Sequence, residues 1–324
     1  MIDVLVVGAG WSGLTAASRL ASRGHAVVVV EKSRGPGGRS ATRRRDGFSF
    51  DHGAQYLTAR SDAFARQVKA WTRAGLLAPW RPRLKVFGRR PGDAGQAPSD
   101  RWVGVPGMNA VPHRLAEGLD CRWRWQAEQI DFGAGEWRVR SADGEVLRAR
   151  SLLLTAPPAQ ASALLGETHP LSATLSAVRM RPSWAVMLGF EQAPSLSWDA
   201  AFVNHGPLSW IARNDAKPGD RGAPAWIGHA DSAWSQEHIE DSPESVASSL
   251  HAAMIELDAA FDAPPALHIA HRWRYARADS PLSGPILAED ARRLVLAGDW
   301  CAGERVEGAW ISGMAAAKRL ATLL

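Results

Sequence analysis

The chain has 324 residues, 46% hydrophobic and 22% charged, a balance that permits a sizeable core and either two domains or one large α/β domain with an insertion. No run of about 18 apolar residues exists, which argues against a transmembrane helix and a membrane partner. The net charge of +5 carries 33 arginines among 38 basic residues. These suit a phosphate-bearing ligand or form a solvated surface, and with no recognisable nucleic-acid module, nucleic acid is not an expected partner.

In chain order, "DVLVVGAG" predicts a buried parallel strand ending at Gly8, with no basic leader or cleavage site before it to mark a secretory signal. "SGLTAASRLASRG" predicts a helix stopped by Gly24, and "HAVVVVEK" a second strand, which together make a βαβ unit. Gly8 permits the sharp turn, Gly10 lets backbone approach a pyrophosphate, and Gly13 lets helix and strand pack closely. Glu31 closes the second strand, where it can accept hydrogen bonds from both hydroxyls of an adenosine ribose. A carboxylate there disfavours a 2′-phosphate, so the spacing predicts FAD or NAD rather than NADP.

"KSRGPGGRSATRR" follows at once. A second glycine cluster with Arg39 beside the ribose acid suits a longer cofactor running past the first turn, with Arg39 on a phosphate oxygen. Ser61 can cap a helix "SDAFARQVKAWTRAGL" with Phe64, Val68 and Trp71 on one face. The polar run 88–100 predicts a flexible loop. "EWRVRSADGEVLRARSLLLTAPP" predicts a hairpin turned at Asp143-Gly144 and then a buried strand. "SWAVMLGFE", "AFVNHG", "LSWIARN", "PAWIGHAD" and "ALHIAHRW" predict short antiparallel strands, and Ser242-Pro243 starts a helix carrying Val246, Leu250, Leu257 and Phe261. Near the end, "LVLAGD" predicts a strand closed by Asp299, and a helix starting near Gly308 aims its N-terminus at a cofactor edge that becomes anionic on reduction.

Four stretches carry a resemblance: "GAGWSGL", "DHGAQYLTAR", "RWVGVPGMNA" and "GDWCAGERVEGAWISG". With "KSRGPGGRSATRR", "RPSWAVMLGFE" and "HRWRYARA" they run in order through the whole chain. It resembles the amine-oxidase-like branch of FAD oxidoreductases and, within it, the renalase family in its bacterial form. The resemblance implies FAD contacts at Gly8, Gly10, Ser12, Gly13, Glu31, Lys32, Arg39, Gln55, Tyr56, Ala127, Asp299, Val306 and Glu307. It implies non-covalent FAD, since Cys301 follows the last glycine-aspartate segment instead of preceding it.

The expected fold class is α/β: a Rossmann-like FAD-binding domain with a parallel sheet (1–60, 120–160 and 285–324), plus an inserted α+β substrate domain with an antiparallel sheet (61–119 and 161–284). The inserted sheet would roof the flavin. Substrate contacts are expected at Tyr56, Leu57, Thr58, Ala59 and Arg60, at the mouth of the site. Arg60 reads equally as a clamp or a surface ion pair. Most of the 15 tryptophans are packing, with Trp184 and Trp300 taken as substrate contacts and Trp210 and Trp234 as further members of an aromatic wall. His229 and His271 read as hydrogen-bonded core histidines rather than bases. Two cysteines, Cys121 and Cys301, are too few for a disulfide framework and fit a reducing, cytoplasmic location. No metal-ligand spacing and no Ser/His/Asp set occurs, so the cofactor carries the chemistry.

Renalase resemblance implies a particular reaction. The misreduced 2- and 6-dihydro isomers of NAD(P)H give a hydride to flavin N5, and NAD(P)⁺ is regenerated. O2 takes the electrons and H2O2 leaves. Oxidation of a free amine and a non-catalytic FAD sensor are the competing readings. An amine site usually carries an aromatic cage, and with only Tyr56 and Tyr275 as tyrosines it would have to be built from tryptophan.

Overall fold

The computed structural model describes residues 1–88 and 100–324; of the polar run 88–100 expected as a flexible loop, residues 89–99 lie outside the described residues. Two sheets dominate. In the larger, five strands run parallel in the order Leu294–Leu296, Val146–Leu154, Ile2–Val7, Val27–Glu31, Asp120–Trp123. Leu287–Glu289 adds an antiparallel edge, and Glu136–Ser141 and Ala127–Gly133 extend the sheet as an antiparallel ribbon.

The sequence explains this sheet directly. Val4 to Val7 and Val27 to Val30 are continuous β-branched or leucine runs, buried on both faces as a parallel strand covered on two sides must be. One face packs on the helices Trp11–Ala21 and Val306–Ala321, through Leu14, Ala17, Leu20, Ala316 and Leu320. The other packs on a separate cluster that includes Trp125, Trp137, Leu147 and Trp300.

A six-stranded sheet forms the roof, in the order Leu267–Ala278, Met180–Gly189, Ala225–Ala230, Leu208–Arg213, Ala200–Val203, Leu84–Phe87. Every pairing is antiparallel except the last, where Leu84–Phe87 from the earlier insertion lies parallel to Ala200–Val203. That sixth strand carries no turn signal and was not foreseen. The helix Pro243–Leu257 covers the outer face. Ser242 caps it as expected, and Val246, Leu250 and Met254 bury against Trp184, Val186, Leu188 and Trp226. The helix ends at Leu257; Phe261 reaches the same core from a 3-10 turn, Ala259–Asp262.

The predicted helix after Ser61 is Asp62–Arg73, with Phe64, Val68 and Trp71 buried on one face. The hairpin turns at Asp143-Gly144, with Gly144 at φ 85°. The last helix starts at Val306, two residues before the expected glycine. No helix among the described residues is long and apolar enough to cross a membrane.

Candidate functional site

Between the two sheets lies a cavity of about 2030 Å³. It opens at the carboxyl ends of Ile2–Val7 and Val27–Glu31, beside the point where strand order reverses between Ile2–Val7 and Val146–Leu154. This crevice is where open parallel sheets bind ligands.

One end is built from backbone. Gly8 has φ 109°, and a Cβ on it would meet Thr155 Oγ1 at 2.5 Å. A Cβ on Gly13 would meet the Gly8 carbonyl oxygen at 2.1 Å, so only glycine lets the helix sit this close to the strand. A Cβ on Gly10 would meet nothing within 4 Å; it faces open space in the cavity wall. The first-turn N–H groups of Trp11–Ala21 have no intrahelical acceptor. Ser12, on that same turn, lines the cavity with a buried hydroxyl that has no partner. Glu31 is buried at the end of its strand. One oxygen accepts the Ala9 N–H at 2.9 Å and the other the Ser33 N–H at 2.8 Å, which fixes the carboxylate at the cavity wall. Lys32 is an exposed rim residue, and Ala127 lines the same end. These orphan donors, a fixed acid and a glycine cradle suit a dinucleotide pyrophosphate and its ribose.

The second glycine cluster is latched to the first by the Gly37 N–H on the Ala9 carbonyl, 2.9 Å. From there Arg39 arches across the cavity. Its guanidinium donates to both Asp299 oxygens, at 2.8 and 2.5 Å, and to the Ala276 carbonyl of the roof at 2.8 Å. The two residues expected at phosphate and ribityl are thus ion-paired with each other. Asp299 begins a short helix, Asp299–Ala302, rather than ending a strand. Val306 lines the cavity at the N-terminus of the last helix, whose first-turn N–H groups are likewise open.

The roof end is built from side chains. Tyr56, Leu57, Thr58 and Arg60 line it, as do Trp210, Trp273, His52, His229 and His271. The His52 carbonyl accepts from Trp273 Nε1 at 2.9 Å and from His229 Nε2 at 3.2 Å, so His229 carries its proton on Nε2. Arg43 reaches His271 Nδ1 at 3.5 Å. The His52 ring lies edge-on to His271 and tilted over Trp273, with centroids 4.9 and 5.0 Å away. Burial pushes His52 down to about 3 and His229 and His271 to about 4, helped at His271 by the Arg43 charge. All three rings are neutral near pH 7 and are weak bases.

Behind this wall sits a buried charge network that sequence reading missed. Asp51 accepts from Lys217 Nζ at 3.2 Å, Arg221 Nη1 at 2.8 Å, the Met108 N–H at 2.9 Å and Thr42 Oγ1 at 2.7 Å. Burial alone would raise the Asp51 carboxyl, but Lys217 and Arg221 hold it below the usual range. Burial outweighs the Asp51 charge at Lys217 and pushes that ammonium down to about 8. Lys217 also donates to Gln55 Oε1 at 3.3 Å, fixing the Gln55 amide at the cavity wall.

Several expected contacts lie elsewhere. Trp184 is fully buried on the outer face of the roof, beneath the helix, with its indole N–H on the His238 carbonyl at 3.0 Å. Its neighbour Ser183 faces the cavity instead. Trp300 packs into the core under the large sheet, one residue past Asp299. Ala59 turns away toward the cluster around Phe64 and Trp71. The Glu307 carboxylate is spent on the N–H groups of Arg60 and Ser61, at 2.9 and 2.8 Å, and faces the helix Asp62–Arg73 rather than the cavity. Trp234 stacks on His238, away from the lining. Trp210 does line the cavity, and His229 and His271 are hydrogen-bonded as expected but stand at its wall rather than in the core. Trp273 and His52 were missed; "DHGAQY" carried the only local signal for the latter. Cys121 and Cys301 are both free, and burial pushes the Cys301 thiol up to about 12. No group of three metal-ligating side chains occurs among the described residues.

Comparison with known proteins gives two family matches. Residues 6–71 match the NAD(P)-binding Rossmann-like domain, and residues 92–321 match the flavin containing amine oxidoreductase. A 4,4'-diapophytoene desaturase of Staphylococcus haemolyticus (strain JCSC1435) is 52% identical over 52 residues, which is 16% of this chain and 10% of the desaturase. The chain therefore aligns with about a tenth of that relative's length. Among solved structures, putrescine oxidase bound to putrescine superposes with a TM-score of 0.75 at 16% identity, covering 99% of both chains. Cyclohexylamine oxidase from Brevibacterium oxydans IH-35A gives 0.75 at 15% identity, again over 99% of both. These two likenesses are of fold.

Proposed function

This chain belongs to the flavin containing amine oxidoreductase family, with FAD as its cofactor, and from that premise we propose that it is a renalase-like oxidase. In this reading it oxidises the 2- and 6-dihydro isomers of NAD(P)H to NAD(P)⁺ and reduces O2 to H2O2. Residues 1–60, 120–160 and 285–324 hold the cofactor, and 61–119 and 161–284 shape the substrate site. Bound there, FAD supplies the hydride acceptor and the route onward to O2. Gly8, Gly10, Ser12, Glu31, Arg39, Gln55, Tyr56, Ala127, Asp299 and the Val306 amide hold it non-covalently. Gly13 acts one layer back, through packing. Cys301 is buried in a core cluster, away from the cavity lining, which supports the non-covalent assignment.

The observation that carries this reading is the charge of the cavity. Among the described residues, ten arginines and Lys32 line it against five carboxylates. The FAD diphosphate offsets only part of that surplus. A positive wall disfavours an ammonium substrate and favours an anionic one. The histidines agree with it. A dihydropyridine that loses a hydride becomes an aromatic pyridinium with no proton to remove, so neutral rings with conjugate acids near 3 to 4 are no handicap. An ammonium substrate would need a stronger base. Tyr56 and Trp210, with centroids 5.7 Å apart, offer flat faces to a planar ring.

Amine oxidation remains the second reading, favoured by the same aromatic wall, which can also receive a cation. Anaerobic mixing separates the two. The FAD-loaded protein is combined with 6-dihydroNAD, with a panel of amines and with ordinary 4-dihydroNADH, and flavin bleaching is followed. Fast bleaching by the first donor alone is the expected result. Bleaching by amines only refutes the proposal, and no bleaching by any donor favours a sensor.

A further inference from the structure

The roof presents its cavity wall as a row. Trp210, His229, Ala185 and His271 are register partners across four adjacent strands, so their side chains share one face of the sheet. Trp273, two residues past His271 on the same strand, shares that face too. The small Ala185 separates the two imidazoles, and the His52 segment reaches both of them and Trp273.

The two imidazoles offer different chemistry. His229 spends its N–H on the His52 carbonyl, so the neutral ring has only a lone pair left. At His271 the neighbour is Arg43 Nη2, 3.5 Å from Nδ1. A guanidinium donates and never accepts, so Nδ1 holds the lone pair and the neutral ring carries its proton on Nε2. Protonating Nδ1 would cost that bond and set two cations side by side. No acceptor among the described residues takes the Nε2–H. Unlike the indole N–H of Trp210, which is shut in, His271 Nε2 keeps accessible surface on a half-buried residue that lines the cavity.

This donor is also held still. The His271 ring stands edge-on to Trp273 and His52, with centroids 4.4 and 4.9 Å away. Trp273 is fixed by its own bond to the His52 carbonyl and packs on Gly53, where a Cβ would meet Trp273 Cζ2 at 3.3 Å and the Arg39 carbonyl oxygen at 2.0 Å. Through one indole and one glycine, the free N–H is therefore placed against the Arg39 backbone, where the roof meets the segment assigned to the cofactor.

We propose that His271 sets how the substrate ring lies, its Nε2–H donating to the oxygen of the ring's carboxamide, and that Arg43 is the positioning residue that holds this tautomer. The proposal rests on the reading of the substrate as a dihydronicotinamide. In the 2- and 6-dihydro isomers the ring nitrogen's lone pair is conjugated with that oxygen and makes it a strong acceptor. The pyridinium product has no such lone pair to give, so the bond is stronger to substrate than to product. His271 moves no proton; it binds and orients.

The test compares FAD-loaded wild type with His271→Phe, His271→Gln and Arg43→Met, flavin content and thermal melts confirming that each variant folds. Binding of nicotinamide, 3-acetylpyridine and 3-ethylpyridine to the oxidised holoenzyme is read from flavin absorbance; the first two carry a carbonyl oxygen and the third does not. The preference for the carbonyl ligands over 3-ethylpyridine should fall about fivefold in His271→Phe. A glutamine amide restores an N–H near the Nε2 position, so His271→Gln should recover part of it, and Arg43→Met should lose about twofold. Anaerobic reduction by 6-dihydroNAD should follow the same order in half-saturating concentration, with limiting rates within about threefold. An equal loss for all three pyridines, no loss for any, or no binding to wild type overturns the assignment. Nitrogen-15 spectra of histidine-labelled holoenzyme, with His271 assigned by its missing signal in His271→Gln, give an independent readout. A neutral ring protonated on Nε2 is expected, and one protonated on Nδ1 overturns the proposal. If the carbonyl preference depends on His271 while no dihydropyridine bleaches the flavin, the proposed reaction is wrong and the His271 donor stands.

Discussion

The two ends of the cavity obey different building rules. At the glycine end the recognition surface is backbone: open amides at a helix N-terminus, a carboxylate fixed by two more amides, and glycines whose missing Cβ makes the space. These parts all lie between Gly8 and Ser33 in sequence. At the roof end the surface is side chains brought from distant segments, and its foundation is the ion pairing of Asp51 with Lys217 and Arg221 from beyond 160 residues away. A local motif can write the first kind of surface. The second exists only after the fold has closed.

That contrast makes the roof end the more fragile, and Asp51→Asn is the sharpest way to break it. Removing the carboxylate charge leaves Lys217 and Arg221 buried without their anion, a loss of about 3–5 kcal/mol. The melting temperature should fall by roughly ten degrees, while the glycine end, which shares none of these contacts, should still take up FAD below the transition. Thermal melts with and without added FAD check both halves. A melting temperature within two degrees of wild type would mean the network carries no such weight.

Acid should find the same weak point. In the unfolded chain each histidine takes a proton near pH 6.5, whereas folded His52 waits until about 3 and folded His229 until about 4. Between those values the unfolded state holds more protons, so stability is full above about pH 6.5 and declines as pH falls through that window. The slope is at most about 1.4 kcal/mol per unit for each buried ring. Melts of the FAD-loaded protein from pH 7.5 to 5.5 should show a drop of several degrees, flattened in His229→Gln. A slope unchanged in that variant would remove His229 from the account.

The smallest effect is expected at the glycine end. Glu31→Gln keeps an oxygen for one backbone amide but gives up the charge offered to the ribose, and FAD affinity should fall roughly tenfold with little change in the melting temperature of the flavin-free protein. Fluorescence of released flavin measures it. A fall in stability as large as that of Asp51→Asn would erase the distinction between the two ends.

Legibility in the sequence follows the same divide. The strand-glycine-helix-strand opening, the capped helices at Ser61 and Ser242 and the Asp143-Gly144 hairpin were readable because each is set by neighbours within a few residues. Trp184 was misplaced for a physical reason. Alternate residues of a strand face opposite ways, and Met180–Gly189 is buried on both sides, so hydrophobicity does not reveal which parity meets the cavity. Trp184 shares its face with Val186 and Leu188 against the helix, while Ser183 lines the cavity. Trp300 failed by a similar margin, since one residue past Asp299 the short helix turns its side chain into the core. Lys217 had no local mark at all, and Trp273, though it lies in "HRWRYARA", had none that aimed it at the cavity.

The central sheet has a consequence for how the molecule is made. Its middle strand, Ile2–Val7, is synthesised first, but the parallel neighbours that flank it arrive from residues 27–31 and 146–154, and the outer ones from 120–123 and 294–296. Asp299, the partner of Arg39, comes later still, and so does the helix that buries Leu320 against the same face. A nascent chain can fold the roof hairpins as they emerge, but it cannot complete its nucleotide pocket until Asp299 and the helix Val306–Ala321 have been made. Flavin capture therefore waits for segments that lie beyond the whole roof in chain order, and a chain cut short before Leu294 would carry a roof with no finished floor.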